Sequence, residues 1–275
     1  MKFQGDYHTH TVASDGKATV LDMVTAAKDK GLREIAITDH GFGKIFWGLR
    51  KKKFEHQIGE IESARAELPT LLGIEGNLMN CRGKIDIKPN VREKLDIVLF
   101  GVHVNVRFSL GAMFTFLFPN LLWAFLHFTP RFQRRYNTKL VRRAIENNEI
   151  DVWTHPNKYF KIDVIEVAKV CMARGTLIEL NGKRIHFRPI DFERMSKLGC
   201  KFIINSDAHK PRRVGDFARA EEFLKNCEYD PKTIINLNQT FTEYKNEKLS
   251  NPNQDGNKDE KQKKHGFGFF KKRKR

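Results

Sequence analysis

REIAITDH, residues 33–40, is an apolar β-branched run that ends in three polar side chains, Thr38, Asp39 and His40. A short apolar run of this kind is typical of a buried strand in a parallel sheet. In a barrel of parallel strands, the side chains at the carboxyl ends of the strands meet at one mouth, where active sites lie. The stretch therefore predicts a strand that delivers polar residues to such a mouth.

Six further runs have a similar composition, and most of them end in a histidine or a carboxylate. They are KFQGDYH (2–8), PTLLGIEG (69–76), DIVLFGVH (96–103), IDVWTHP (150–156), GTLIELNG (175–182) and CKFIINSDAH (200–209). Helical patterns lie between them, several of which end in glycine, the usual helix stop. Strands that alternate with helices predict parallel βα units, here seven, closed or nearly closed into a barrel.

Composition is consistent with one large domain. The chain has 275 residues, of which 40% are apolar, enough for a real core. Its four cysteines are scattered without a C-x-x-C pair, and no signal peptide is visible at the start, so we expect a cytoplasmic protein.

The formal net charge is +17, and part of it lies in the last 25 residues, 251–275, which hold nine Lys/Arg against three acids. Their low aliphatic content predicts a disordered basic tail that follows a folded domain of residues 1–250. The final FGFFKKRKR could contact acidic lipid or nucleic acid, or it could serve only for solubility.

His8 and His10 are separated by one residue, so on a strand both imidazoles point to the same face. An isolated pair of this kind is usually only a polar strand end. Here, however, six of the ten histidines follow predicted strands. The candidate metal ligands are His8, His10, Asp15, His40, Glu75, His103, His155, Asp207 and His209. Because zinc takes about four ligands, nine suit two or three divalent ions that share a carboxylate.

The chain resembles the PHP (polymerase and histidinol phosphatase) superfamily. The resemblance is carried by HTH…SDG, ITDHG, GIEGN, FGVH, THP and NSDAH, in this order within residues 6–209, and it extends into RRVGDF at 212–217. It is strongest to the single-domain branch. It implies a distorted seven-stranded (βα)7 TIM-like barrel, an α/β fold, that acts as a metal-dependent phosphatase or phosphodiesterase.

The resemblance also assigns the ligands. His8, His10, Glu75 and Asp207 would hold a first metal; Glu75, His103 and His155 a second, with Glu75 bridging; Asp15, His40 and His209 a third. Some relatives have histidine at the position of Asp15, and a carboxylate there favours manganese, magnesium or iron over zinc. The cofactors expected are therefore two to three ions of zinc, manganese or iron.

The expected mechanism is attack on phosphorus by a hydroxide that bridges two metals. The catalytic candidates are Glu75, which would fix that hydroxide, and Asp39 or Asp207 as general acid, with a metal-bound water as the alternative. Arg184, Arg212 and Arg213 are candidate phosphate-binding residues, for which ordinary surface charge is the competing interpretation.

Residues 108–130, which we call the apolar segment, contain no Asp, Glu, Lys or Arg. They lie in an insertion of about residues 107–135 between two candidate ligands. We expect Pro119 to break the segment into two halves that form a hairpin over the mouth. Such a hairpin could be a substrate lid, a dimer surface, a membrane-dipping element or part of the core. Residues 97–145 carry seven Lys/Arg and no acid, which suits anionic lipid or a phosphate-rich substrate.

The leading hypothesis is thus hydrolysis of a phosphorylated small molecule or a nucleotide. The alternative is a nucleic-acid-binding or membrane-associated module that uses the barrel as a scaffold, at the periphery of the membrane in the latter case. The sequence leaves open the ester, the oligomeric state and the metal.

Overall fold

The protein is described by a computed structural model over residues 1–250, and the predicted basic tail at 251–275 lies outside the described residues. Seven strands form one sheet in which every neighbouring pair is parallel and the spatial order follows the chain. They are β1 (Gly5–Asp6), β2 (Glu34–Ile37), β3 (Thr70–Asn77), β4 (Ile97–Gly101), β5 (Val152–Trp153), β6 (Leu177–Asn181) and β7 (Phe202–Asn205).

The sheet closes on itself just beyond the ends of its first and last strands. Thr9 forms a parallel bridge with Ala208, and the backbone of His10 donates a 2.8 Å hydrogen bond to the carbonyl of Ala208. The predicted TIM-like barrel is therefore confirmed. Its distortion is visible in β1 and β5, which have only two residues each.

Helices surround the barrel, and the last two contribute side chains to its inner core. They are α1 (Val20–Asp29), α2 (Lys51–Ala64), α3 (Pro89–Arg92), α4 (Leu110–Ala112), α5 (Phe118–Phe125), α6 (Arg131–Asn147), α7 (Val164–Arg174), α8 (Pro189–Lys197), α9 (Ala218–Leu224), α10 (Ile235–Asn238) and α11 (Phe241–Ser250). Local signals set several ends. Thr19 and Asp22 form a capping box at the start of α1, and Gly175 ends α7 with a left-handed φ of 64°.

The strands separate two apolar cores. The inner core fills the barrel and contains Leu99 and Ile203, together with Ile235 and Phe241 from the C-terminal helices α10 and α11. The outer core lies between strands and helices and takes the alternating strand residues, such as Val98. This two-residue alternation decides which side chains face the inside at every level of the barrel.

The apolar segment is helical from Leu110 to Phe125, because α4 continues through a π-helical turn (Met113–Leu117) into α5. The expectation that Pro119 breaks it is wrong. Pro119 lies two residues after the π-helical turn, where the regular ladder of backbone hydrogen bonds is interrupted, so its missing N–H is tolerated there. In addition, the side chain of Asn120 donates a 2.7 Å hydrogen bond to the carbonyl of Phe116.

The inner face of the apolar segment belongs to the core. Phe116 is fully buried, and its ring lies 5.8 Å from that of Phe108 and 4.5 Å from that of Phe160. Asn120 and Asn137 exchange amide hydrogen bonds of 2.9 and 2.7 Å, which tie α5 to α6. Within residues 1–250, no helix is both long enough and apolar enough to span a bilayer.

Candidate metal centre

Along β4 and β7, the inward-facing side chains change from apolar to polar toward the mouth of the barrel. In steps of two along β7, the apolar Ile203 is followed by Asn205 and then Asp207, and along β4 Leu99 leads to His103. The alternation that fills the lower barrel with hydrocarbon therefore fills its mouth with polar donors.

All nine sequence-predicted ligands meet in this mouth, and seven of them are buried. They form four overlapping groups, in each of which the donor atoms lie within 4.8 Å of one another. The groups are His10–Asp15–His40–His209, His8–His10–Asp207, His8–Glu75–His155 and His40–Glu75–His103. The overlap is the arrangement that shared ligands of several ions require.

Only the predicted third set is complete in one group, with His10 added. Of the predicted first set, His8, His10 and Asp207 form a group, but Glu75 lies outside it. The predicted second set is divided, because His155 and His103 each meet Glu75 in a different group. Glu75 is thus the central carboxylate of the mouth.

Several of these donor atoms are buried but have no hydrogen-bond partner among residues 1–250. They are Nε2 of His8, both ring nitrogens of His10, Nδ1 of His40 and Oε2 of Glu75. Nδ1 of His40 and Oε2 of Glu75 are 2.9 Å apart, but their geometry is not that of a hydrogen bond. Buried polar atoms without partners are rare in folded proteins. Imidazole and carboxylate donors fit zinc, manganese and iron, so the residues present suit divalent metal ions.

A glycine leaves room for this cluster. Gly101 occupies an inward position of β4, and a Cβ atom there would lie 2.7 Å from Oε1 of Glu75 and 2.8 Å from Cε1 of both His103 and His155. Contacts that short are sterically forbidden, so a larger residue would displace three of the donors.

The protonation states of two central donors, Glu75 and His10, also suit cations. Burial alone would raise the pKa of Glu75, but the imidazoles of His103, His8 and His155 outweigh burial and hold that pKa well below its usual range. The pKa of His10 lies well below its ordinary value because of its burial and of the neighbouring imidazoles of His40 and His209. An ionised carboxylate and a neutral imidazole are the forms that bind metal.

Similarity to known proteins agrees with this geometry. A family model described as PHP domain matches residues 6–183. The chain belongs to the PHP domain family. A protein of Proteus mirabilis (strain HI4320) named "Probable phosphatase" is 30% identical over 241 residues, which cover 84% of this chain and 89% of that protein. A "Probable phosphatase" of Shewanella baltica (strain OS195) is 28% identical over 254 residues, 86% of this chain and 87% of the relative.

A solved structure supports the fold of the PHP domain. Histidinol phosphate phosphatase of Lactococcus lactis, in complex with zinc, L-histidinol and phosphate, superposes with a TM-score of 0.55 at 15% sequence identity. The superposition covers 82% of this chain and 94% of that one.

Glu179 is a residue of this PHP site that the sequence analysis missed. It is fully buried in β6; Oε1 lies 2.7 Å from Nδ1 of His8, and Oε2 accepts a 2.7 Å hydrogen bond from the backbone of His155. The carboxylate thereby fixes the orientation of His8 and leaves its Nε2 free for a metal. The strand GTLIELNG carried a signal for it. Glu179 lies two residues after the inward-facing Leu177, so strand alternation turns it to the inside of the barrel as well.

Asp39, a candidate general acid, does not face the cluster. It directly precedes His40, and strand alternation turns adjacent side chains to opposite faces. Its carboxylate accepts hydrogen bonds from the backbone and hydroxyl of Thr11, at 2.8 and 2.6 Å, and from Ser14 and Gln57. Asp39 therefore holds the loop after β1 against α2, and the structure gives it no position from which to protonate a leaving group.

Asp207, the other candidate acid, does face the cluster. It has a left-handed φ of 53°, a conformation that costs a non-glycine residue about 1–3 kcal/mol. Burial opposes ionisation of its carboxyl group, but His8, Lys183 and Lys158 outweigh burial and lower its pKa. Its carboxylate is therefore ionised, which suits a ligand and not a proton donor.

The positively charged side chains next to the site are lysines, and not the arginines that the sequence analysis named as phosphate-binding candidates. Nζ of Lys183 lies 3.0 Å from Oδ1 of Asp207, that of Lys158 lies 3.9 Å from Oδ2 of Asp207, and that of Lys44 lies 3.6 Å from Asp15. Among residues 1–250, Arg213 pairs with Asp216, and the exposed side chains of Arg184 and Arg212 contact none of the nine donors. Substrate binding by these arginines stays a prediction.

Proposed function

We propose that this PHP domain protein hydrolyses a phosphate monoester of a small molecule or nucleotide at the mouth of its barrel, with two to three divalent ions held by the nine donors. The protein is a hydrolase of phosphate esters, and its relatives are named as phosphatases. The observation that supports the proposed site best is the set of buried atoms around Glu75 that could bind a metal and have no hydrogen-bond partner among residues 1–250.

The proposed roles of the ligands follow from their grouping. His8, His10 and Asp207 would hold one ion, and Asp15, His40 and His209 would hold another; Glu75 lies between these sets, next to His103 and His155. Bound ions would supply Lewis-acid chemistry: a lower pKa for an attacking water and neutralisation of charge on the phosphate oxygens.

The protein's own groups prepare the site for this chemistry. Glu179 keeps the imidazole of His8 in the tautomer that presents Nε2 to the mouth, since its carboxylate accepts a hydrogen bond from Nδ1–H. Asp39 holds Thr11 and Ser14 and so fixes the loop that carries Asp15.

Lysines would recognise the phosphate. Lys183 and Lys158 come from loops after β6 and β5, and both ammonium groups reach Asp207 at the rim of the cluster. A doubly charged monoester benefits more from such cations than a diester does, because it carries one more negative charge. This difference is why we favour a monoester.

The test is a substrate panel with protein whose metal content has been measured. The panel contains p-nitrophenyl phosphate, bis-p-nitrophenyl phosphate, nucleoside monophosphates, sugar phosphates, histidinol phosphate and a short oligonucleotide. We expect turnover of monoesters that is lost on chelation and absent in a Glu75→Gln variant of unchanged fold. Inactivity of verified metal-loaded protein on every ester would refute the enzyme proposal, and a preference for diesters would refute its monoester part.

A further inference from the structure

The outer face of the apolar segment is a continuous exposed hydrocarbon surface. Leu110 is 74% exposed, Phe114 67% and Phe125 81%, and the other large exposed side chains of the same stretch are Phe118, Leu121, Leu122, Leu126 and Phe128. No other part of residues 1–250 covers this face. A soluble protein rarely exposes so many contiguous apolar groups without a binding role.

This face cannot be removed from water by refolding against the barrel. The opposite side of the same helical stretch is already packed, with Phe116 fully buried and Asn120 bonded to Asn137 on α6. The stretch is therefore held in place by its packed side. Because it follows β4, it lies at the mouth end of the barrel. Within residues 1–250, no further segment is left that could cover the outer face.

A stripe of cations lies on α6, the helix that follows the apolar segment. Arg131, Arg135 and Lys139 are exposed and spaced four residues apart, so they lie on one face of α6. No ion pair involves them within the described part of the chain. The ring of Phe132, which is 64% exposed, lies 6.3 Å from that of Trp123 and so connects this helix to α5.

We propose that this surface docks on an anionic lipid bilayer, with the exposed side chains of the apolar segment inserted at the headgroup level and the stripe of α6 in contact with the headgroups. Amphipathic helices that lie in a membrane interface combine an apolar face with Lys and Arg in this way. The charge favours lipid over a second copy of the chain: Arg131, Arg135 and Lys139 have no acidic partner among residues 1–250, so two copies of this stripe would repel each other. The proposal goes beyond the enzymatic function and does not depend on it.

The test is sedimentation of the full chain with vesicles of phosphatidylcholine alone and of phosphatidylcholine with phosphatidylglycerol. We expect binding only to the anionic vesicles. A Phe114→Ser/Phe125→Ser variant should lower the partition coefficient at least about tenfold, because two large apolar groups no longer insert. An Arg135→Gln/Lys139→Gln variant should lower it by about fivefold for each charge removed.

Matched controls lie at the opposite end of the barrel. Met172 and Leu198 are also exposed, as are Arg174 and Lys197, and all four lie at or beyond the ends of α7 and α8. Replacing the first pair with serine and the second with glutamine should leave the partition coefficient within about twofold. Circular dichroism and metal content should be unchanged in every variant, since none of these side chains is buried.

Three results would overturn the proposal. The wild-type chain could fail to bind anionic vesicles; it could bind them equally well with and without the substitutions in the apolar segment and α6; or it could form a dimer in solution that those substitutions dissociate, without binding lipid. The basic tail is present in every variant, so it cannot account for a difference between them.

Discussion

At the scale of single residues, Glu75 is the carboxylate around which the mouth is organised. It belongs to two of the four donor groups and has His8, His40, His103 and His155 within 3.6 Å of its oxygens. His209, in contrast, belongs to one group and is half-buried at the rim. The two positions therefore predict different consequences of substitution.

We expect Glu75→Gln to lower kcat/KM by about a thousandfold or more, because several kcal/mol of charge stabilisation depend on the metals that it joins. His209→Ala should lower it by only about 10- to 100-fold. Steady-state kinetics at saturating metal, with metal content measured for each variant, provide the comparison. Equal losses, or a milder effect at Glu75, would contradict the central position of this carboxylate.

Lys183 offers a second comparison at this scale. Its ammonium group lies 3.0 Å from Asp207 and 3.1 Å from Nδ1 of His209, whereas the exposed side chain of Arg212 reaches no donor of the site. Lys183→Gln should raise KM for a phosphomonoester by about 10- to 100-fold, the loss of one charge-assisted hydrogen bond. Arg212→Gln should change KM by less than about twofold. If Arg212→Gln has the larger effect, the arginine prediction from the sequence is the correct one.

At the scale of elements, the apolar segment has two faces with opposite roles. Phe116 is fully buried between Phe108 and Phe160, while Phe125, nine residues later, is 81% exposed. Replacing the whole segment with a flexible linker would therefore remove core contacts as well as the exposed surface. Single substitutions separate the two roles.

Phe116→Ala should lower the free energy of unfolding by about 3–5 kcal/mol, the usual loss for a buried phenylalanine. Phe125→Ala should lower it by less than about 0.5 kcal/mol, since the side chain is already in water. Chemical denaturation followed by tryptophan fluorescence measures both. Comparable losses would show that the outer face is also packed in solution.

At the scale of the whole molecule, the proposed metal ligands come from strands that are far apart in the sequence. They follow β1, β2, β4, β5 and β7 or lie within β3, so ions bound there would tie most of the barrel's mouth together. Several of these buried donor atoms have no hydrogen-bond partner among residues 1–250. Metal content should therefore affect global stability as well as activity.

Chelation should lower the melting temperature by roughly 10 °C. This follows from about 4 kcal/mol of stabilisation when the free metal is a thousandfold above Kd, at about 2–4 °C per kcal/mol for a domain of this size. Differential scanning calorimetry of the loaded, chelated and reloaded protein measures the shift. A melting temperature that is unchanged after verified metal loss would show that the ions do not link the strands.

The cytoplasmic location of the protein stays a prediction.

The sequence alone was enough to predict the barrel and the nine donors, because both depend on short-range sequence patterns. Most strands are short apolar runs, and most donors follow or end one, as His40 follows REIAI and His103 follows IVLFG, whereas Asp15 lies on the loop after β1. Parallel pairing then carries these ends to one mouth whatever the details of packing.

Only the tertiary structure decided which other groups serve the site. Glu179 and Lys183 come from β6 and the loop after it, and no motif names them; they matter because closure of the barrel brings them to His8 and Asp207. Asp39 lies beside a ligand in the sequence but points away from the site, since adjacent strand residues face opposite sides. Composition likewise did not decide which face of the apolar segment is buried. Burial depends on the neighbours that the folded chain brings to each face, and these neighbours are distant in sequence.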